Sequence, residues 1–353
     1  MPVLLYTGIG FGNGTQACPE FTEADIRKMT EAGITDFILN TAVSPIYYRD
    51  IDENGNEISE SKLLCSKEDI DTLTMEDLGV DSEYELETKK EQIKSNITIQ
   101  ADDRDTINAQ IDFEIELGKR ILSVNPDARL WFSFPFIKID DGAEFYAQHY
   151  MDVIYPKIKL AFSEEEFEKN VCGMYWATEN ASGTNWNSEN LVDFDNPVVK
   201  AAKYCADIIH EDGKTFIWIP FTLNGKQTER SAIIANQTDI FDYVFFQPGY
   251  LWGDEKEPYL DIIQNSVTNG VFMNSNGTPY GGEKKSNTVI GVEIELDNKF
   301  ITLSDGDEYL RRYNGYVEHF SQFKHDKSMA FYCSNRDNMM NPEVFELFKE
   351  WFN

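Results

Sequence analysis

Apolar residues in this chain gather in short runs rich in Val, Ile, Phe, Tyr and Trp, and between the runs they return at helical spacing. A short apolar run bounded by turn residues predicts a buried strand, and an apolar stripe at i, i+3, i+4 predicts an amphipathic helix. The runs are Val3–Thr7, Asp36–Asn40, Arg129–Phe136, Cys172–Thr178, Thr215–Pro220, Asp242–Gln247, Thr288–Glu295 and Ser328–Ser334. A helix is predicted after the first, opening at Thr22 as N-cap with Asp25 three residues on and closing at Gly33. Others start near Thr106, cover Asn196–Glu211 before the stop Asp212-Gly213, and end the chain as Pro342–Phe352. Strands that alternate with helices imply a parallel sheet with right-handed crossovers. Eight such units favour a closed α/β (β/α)8 TIM barrel. The alternative is an open doubly wound sheet, which usually has about five or six strands.

The rhythm is interrupted twice. Residues from about 41 to 105 separate the second and third strands. They hold a predicted hairpin turning at Asn54-Gly55 and an acid-rich stretch from Lys67 to Glu91, read as a solvated decoration of a βα loop. Residues 249–286 follow the sixth strand, with a helix near Pro258–Val267 and a hairpin Val271–Gly282 turning at Asn276-Gly277. No linker separates two domains, so 1–353 reads as a single barrel domain with both insertions on the face that carries active sites.

Composition removes several functions. With 41% hydrophobic and 13% aromatic residues among 353, the chain can bury a large core. A formal net charge of −31 repels nucleic-acid phosphates and anionic lipid, which excludes a nucleic-acid partner and leaves neutral or cationic ligands. The bulk of that charge reads as a solubility surface. Cys18, Cys65, Cys172, Cys205 and Cys333 are spread without a CxxC, and four histidines include no HExxH, so neither a metal site nor a cofactor is expected. No segment approaches about 18 uninterrupted apolar residues, so no transmembrane helix is expected. Met1–Gly8 enters a strand with no charged segment and apolar core ahead of it, which predicts a cytoplasmic chain unless a leader precedes it.

In a parallel barrel, ligands bind at the C-terminal ends of the strands. The fourth strand runs into Glu179-Asn180. The seventh reads Val289-Ile290-Gly291-Val292-Glu293-Ile294-Glu295-Leu296. Side chains two apart share a face, so Glu293 and Glu295 point together, opposite Val292, Ile294 and Leu296. The apolar set should face the helices, which leaves two acids inside the barrel, costly unless paired or functional. Carboxylates at the ends of strands four and seven lie across the mouth from each other. Such a pair suits acetal hydrolysis, which needs a proton for the leaving oxygen and a stabiliser or nucleophile for the anomeric carbon. Trp186, Trp218, Gln247, Tyr250 and Trp252 fall in or near strand ends and are candidate sugar contacts, with Asn180 and Tyr332. Trp131 and Trp176 read as core. Gly8–Gly14 superficially matches a dinucleotide fingerprint, but Cys18-Pro19 intervenes before the helix and no ribose-binding acid is placed, so it reads as a rim loop.

The runs Gly173–Glu179, Phe216–Pro220, Phe241–Tyr250 and Gly291–Glu295 resemble an uncharacterised bacterial family of glycosidase-like barrel proteins. The resemblance covers roughly Arg129 to Ser334 and implies a (β/α)8 fold with a carbohydrate-active role. The acids after strands four and seven also look like the large clan of retaining glycosidases, although Thr178 stands where that clan usually has Asn. Leu5–Gly10 is faintly similar to chitinase-like barrels of glycosidase family 18, but the DxxDxDxE signature is missing from strand four, which implies no substrate-assisted chemistry. The expectation is a retaining glycoside hydrolase acting on a polysaccharide or glycan, with Glu179 as acid/base and Glu295 or Glu293 as nucleophile. A non-catalytic glycan-binding barrel or a surface- or phage-associated interaction protein is the alternative. Oligomeric state stays open.

Overall fold

A computed structural model describes residues 1–7, 20–41, 46–48, 62–64, 74–75, 80, 82–97, 104–134, 143–179, 196–221, 225–296 and 306–352. The strands are β1 (Pro2–Thr7), β2 (Asp36–Thr41), β3 (Ile46–Tyr48), β4 (Lys62–Leu64), β5 (Arg129–Phe134), β6 (Val171–Trp176), β7 (Thr215–Trp218), β8 (Tyr243–Phe246), β9 (Val289–Glu295) and β10 (Met329–Tyr332). Eight of them close a barrel in the order β1-β10-β9-β8-β7-β6-β5-β2. All eight pairings are parallel. The fold is the expected (β/α)8 barrel, and the open sheet is excluded by the β1–β10 pairing, with Val3 opposite Phe331. The fourth and seventh barrel strands are β6 and β9.

Parity along each strand divides the side chains between two cores. Leu4, Tyr6, Ile38, Trp131, Tyr175, Ile217, Ile219, Phe245 and Ala330 fill the barrel interior. Their neighbours, such as Leu5, Leu39, Phe132, Met174, Trp176, Trp218, Phe246, Val292 and Ile294, face the helices in a much larger outer core. The predicted helices are present with the end signals the sequence carries. Helix Glu23–Glu31 has a full capping box between Thr22 and Asp25. Helix Pro197–Glu211 is capped by Asn196, whose side chain accepts from the Val198 amide. The C-terminal helix is Pro342–Lys349, shorter than expected.

The decorations follow the expected division. After β2, an antiparallel pair joins β3 to β4 with Tyr47 opposite Leu63, and helix Glu83–Ile97 follows. The Asn54-Gly55 turn lies outside the described residues, as do Gly8–Gly14, Cys18 and Cys65. After β8 come two short 3-10 turns, Tyr250–Trp252 and Asp254–Lys256, and helix Glu257–Asn269. The expected hairpin is reduced to one bridge, Met273 to Pro279, around Gly277. No helix among the described residues is long and apolar enough to cross a membrane. Cys172, Cys205 and Cys333 are free thiols.

Candidate active site

The alternation in β9 turns both glutamates into the barrel. Val292, Ile294 and Leu296 are fully buried against the helices, whereas Glu293 (2% exposed) and Glu295 (3% exposed) line a cavity of about 420 Å³ at the C-terminal end of the strands. β6 contributes from beyond β8 and β7 in the wall. Tyr175 points inward, and Glu179, continuing the same parity, reaches the same cavity, half-buried. Leu4, Tyr6, Phe221, Gln247, Trp252 and Tyr332 complete the lining, with no Lys, Arg or His among the described residues. No group of three or more described His, Cys, Asp or Glu is arranged to hold a metal ion.

The three carboxyl groups occupy different surroundings. Among the described residues Glu179 accepts one side-chain hydrogen bond, from Gln247 Nε2 at 3.2 Å, and the same amide donates to Ile219 O at 3.3 Å. Burial pushes the Glu179 carboxyl above the usual range, and Gln247 offsets only part of this. Glu295 is held by several donors. The Tyr316 hydroxyl donates to its Oε2, and the Gly249 amide and the Trp252 side chain also bond the carboxylate. Burial nonetheless pushes Glu295 up to about 7, against the pull of these donors and with a contribution from Glu179. Glu293 lies one layer deeper, beside Ala330 on β10. Its Oε1 is buried without a hydrogen-bond partner among the described residues. Burial, then the neighbouring charges of Glu295 and Glu179, raise this carboxyl well above the usual range.

Supporting residues explain how the sequence places these groups. Gly249 has φ of 65°, a left-handed conformation that a side chain would strain, and this bend aims its amide at Glu295. Tyr316 comes from helix Gly306–Phe320, and its hydroxyl accepts from the Leu251 amide at 3.0 Å, which fixes the rotor toward Glu295. Tyr6 on β1 and Tyr332 on β10, the strand beside β9, meet edge to face at 5.9 Å. Burial and the nearby glutamates raise Tyr6 and Tyr175 well above the usual phenol range, so both remain hydrogen-bond donors.

Two expected sugar contacts are displaced. Trp218 is 1% exposed, on the helix side of β7 in the outer core. Its indole donates to Thr178 O at 2.8 Å, so it pins the residue before Glu179 from behind. It is out of phase with the inward pair Ile217 and Ile219. Tyr250 is also buried. Its ring meets Tyr316 at 6.0 Å and its hydroxyl accepts from Arg311 Nη1 at 2.9 Å, so it backs the residue that holds Glu295. Gly315 makes room for that ring, since a Cβ there would lie 2.8 Å from Tyr250 Cε1. Gln247, Trp252 and Tyr332 do line the cavity, and Trp252, 41% exposed, stands at its rim. Asn180 and Trp186 lie outside the described residues. Tyr6, Tyr175, Phe221, Tyr316 and Gly249 were not singled out in the sequence. The inward parity of Tyr6 and Tyr175 was a usable signal; the other three had none.

No curated protein matches the chain. The family described as Domain of unknown function (DUF4855) matches residues 143–341. Among solved structures, a Group IV chitinase of Ostrinia furnacalis is similar at 11% identity and a TM-score of 0.33, over 71% of this chain and 53% of that one. This chain thus spans about half the length of that chitinase. The β-mannanase of the blue mussel Mytilus edulis is similar at 10% identity and a TM-score of 0.42, over 99% and 92% of the two chains. The GH18 chitinase ChiB of Flavobacterium johnsoniae is similar at 9% identity and a TM-score of 0.33, over 99% and 93%.

Proposed function

The chain belongs to the family described as Domain of unknown function (DUF4855), and we propose that it is a retaining glycoside hydrolase acting on a polysaccharide or glycan. The reading rests on one observation. Carboxyl groups from the fourth and seventh barrel strands face one cavity, and among the described residues one is held by several donors and the other by a single amide.

The difference in surroundings assigns the roles. A nucleophile must be ionised and fixed, and hydrogen bonds to the charged form do both. Glu295, with Tyr316, Gly249 and Trp252 on it, fits that part better than Glu293, whose Oε1 meets no donor among the described residues. A general acid must keep its proton until the leaving oxygen takes it, and burial with little compensation supplies this at Glu179. Glu295 attacks the anomeric carbon as Glu179 protonates the departing glycosidic oxygen. Glu179, now a carboxylate, takes a proton from water, which attacks the same carbon and releases Glu295. Each carboxyl ends as it began, and two inversions retain the anomeric configuration. Trp252 offers an aromatic face at the rim on which a sugar ring can stack.

The test is Glu179→Gln assayed against a glycan panel. Turnover is expected to vanish while the melting temperature and ligand binding persist, and unchanged turnover would remove Glu179 from the chemistry. Once a cleaved glycan is known, its 2-deoxy-2-fluoro analogue should leave a covalent mass on Glu295. A mass on Glu293 would reassign the nucleophile.

A further inference from the structure

The hydrolase reading leaves Glu293 without a task, and its position is costly. The side chain is 2% exposed, lines the cavity, and has a buried Oε1 that meets no donor among the described residues. On that oxygen an ionised carboxylate lacks a donor and a protonated one lacks an acceptor among the described residues. A buried polar group left in this condition is destabilising unless a ligand completes it. Its neighbours sharpen the demand. Glu295 and Glu179 lie in the same cavity, and no basic side chain lines it among the described residues. Every charged side chain that lines the cavity among the described residues is negative.

Resting on the hydrolase reading, we infer that the substrate class is a glycan of amino sugars with free amines, the ammonium of the sugar in the cavity being the partner of Glu293. An ammonium brings three donors to an oxygen that meets none among the described residues, and a positive charge to a described lining that holds none. It favours the ionised form of Glu293, which a neutral hydroxyl does not. Glu293 and Glu295 are two residues apart on one strand, about 7 Å between Cα atoms at the usual rise. A single sugar ring can therefore present its anomeric carbon to Glu295 and an amine to Glu293. By the same field, uronic acids and sulfated or phosphorylated sugars are rejected.

The experiment is a binding series on the intact protein at mildly acid pH. Glucosamine, galactosamine and mannosamine, with their short oligomers, are titrated beside the matching hexoses and N-acetyl derivatives, using calorimetry or ligand-observed NMR. At least one amine-bearing sugar should bind about tenfold or more tightly than both its hexose and its N-acetyl counterpart. Glu293→Gln, isosteric and without charge, should lower that preference toward unity while its melting curve stays cooperative. A protonated Glu293 serving only a hydroxyl would be mimicked by Gln, so a preference that survives Glu293→Gln overturns the inference. Equal or tighter binding of the hexoses and N-acetyl sugars, or no binding of any amino sugar, also overturns it. The two readings fail separately. Amine-selective binding with no cleavage of any oligomer removes the hydrolase and keeps the amine site. Cleavage of neutral glycans with no amine preference does the reverse.

Discussion

Glu295 sits where two opposing effects nearly balance. Burial disfavours its charge, the hydrogen bonds from Tyr316, Gly249 and Trp252 favour it, and the carboxyl ends at about 7. Tyr316→Phe removes one charge-assisted donor while keeping the ring against Tyr250. The proposed nucleophile then loses roughly 1.5–3 kcal/mol of support, so kcat should fall about ten- to a hundredfold. Because the lost bond favoured the ionised form, the acid limb of kcat/KM, expected near pH 7 in the parent, should move to higher pH. A limb that stays in place would disconnect Tyr316 from the reacting carboxylate. The acids themselves were readable in the sequence because Glu293 and Glu295 break an apolar alternation. The same parity argues Trp218 outward, since it falls between the inward Ile217 and Ile219. Tyr316 could not be found this way. It lies 21 residues from Glu295 in sequence, on a helix whose approach to the strand end is set only by the closed barrel.

At the level of elements, the strands were legible because each is a short apolar run closed by turn residues. The mouth of the barrel was less so, because buried polar clamps hold it. Helix Arg104–Val124 reads as amphipathic with acids at Asp112, Glu114 and Glu116, yet only Glu114 is fully buried, at 0% exposure. Its carboxyl bridges the ends of β2 and β5. It accepts from Thr41 N and Oγ1, both at 2.8 Å, and from Ser133 N at 2.9 Å and Oγ at 2.5 Å. Nothing in the helix pattern marks it, since its partners are two strand ends distant in sequence. Glu114→Ala leaves two buried amides without their acceptor and should cost about 3 kcal/mol or more. Glu114→Gln keeps a carbonyl acceptor and should cost clearly less, read as the shift in urea midpoint at constant slope. Equal costs for the two variants would mean that lost packing, rather than the clamp, governs this corner.

For the whole molecule, the net charge of −31 conceals two groups of acids with opposite pH consequences. Asp25 and Asp36 are held below the usual carboxylate range, burial being outweighed by Arg336 and Thr22 for one and by Arg129 and the N-terminal ammonium for the other. Their stabilisation is complete above the ordinary value of 3.8 and is lost only as pH falls through the lower folded value. Glu114, Glu179, Glu293 and Glu295 are shifted the other way, chiefly by burial, Glu114 to about 8 and Glu295 to about 7. The folded state holds these protons while the unfolded chain releases them near 4.5, so stability falls as pH rises through that interval. Glu295 alone accounts for roughly 3 kcal/mol across its window. Self-repulsion of the acidic surface acts in the same direction but is screened by salt, whereas the buried group is not. The urea midpoint should therefore drop from about pH 5 to about pH 8, and a good part of the drop should persist at high salt. Glu293→Gln, which cannot ionise, should show a shallower decline and exceed the parent protein at the alkaline end. A midpoint that is flat over this range, or a decline that salt abolishes, would place the acidity on the surface alone and deny the buried carboxyls their protons.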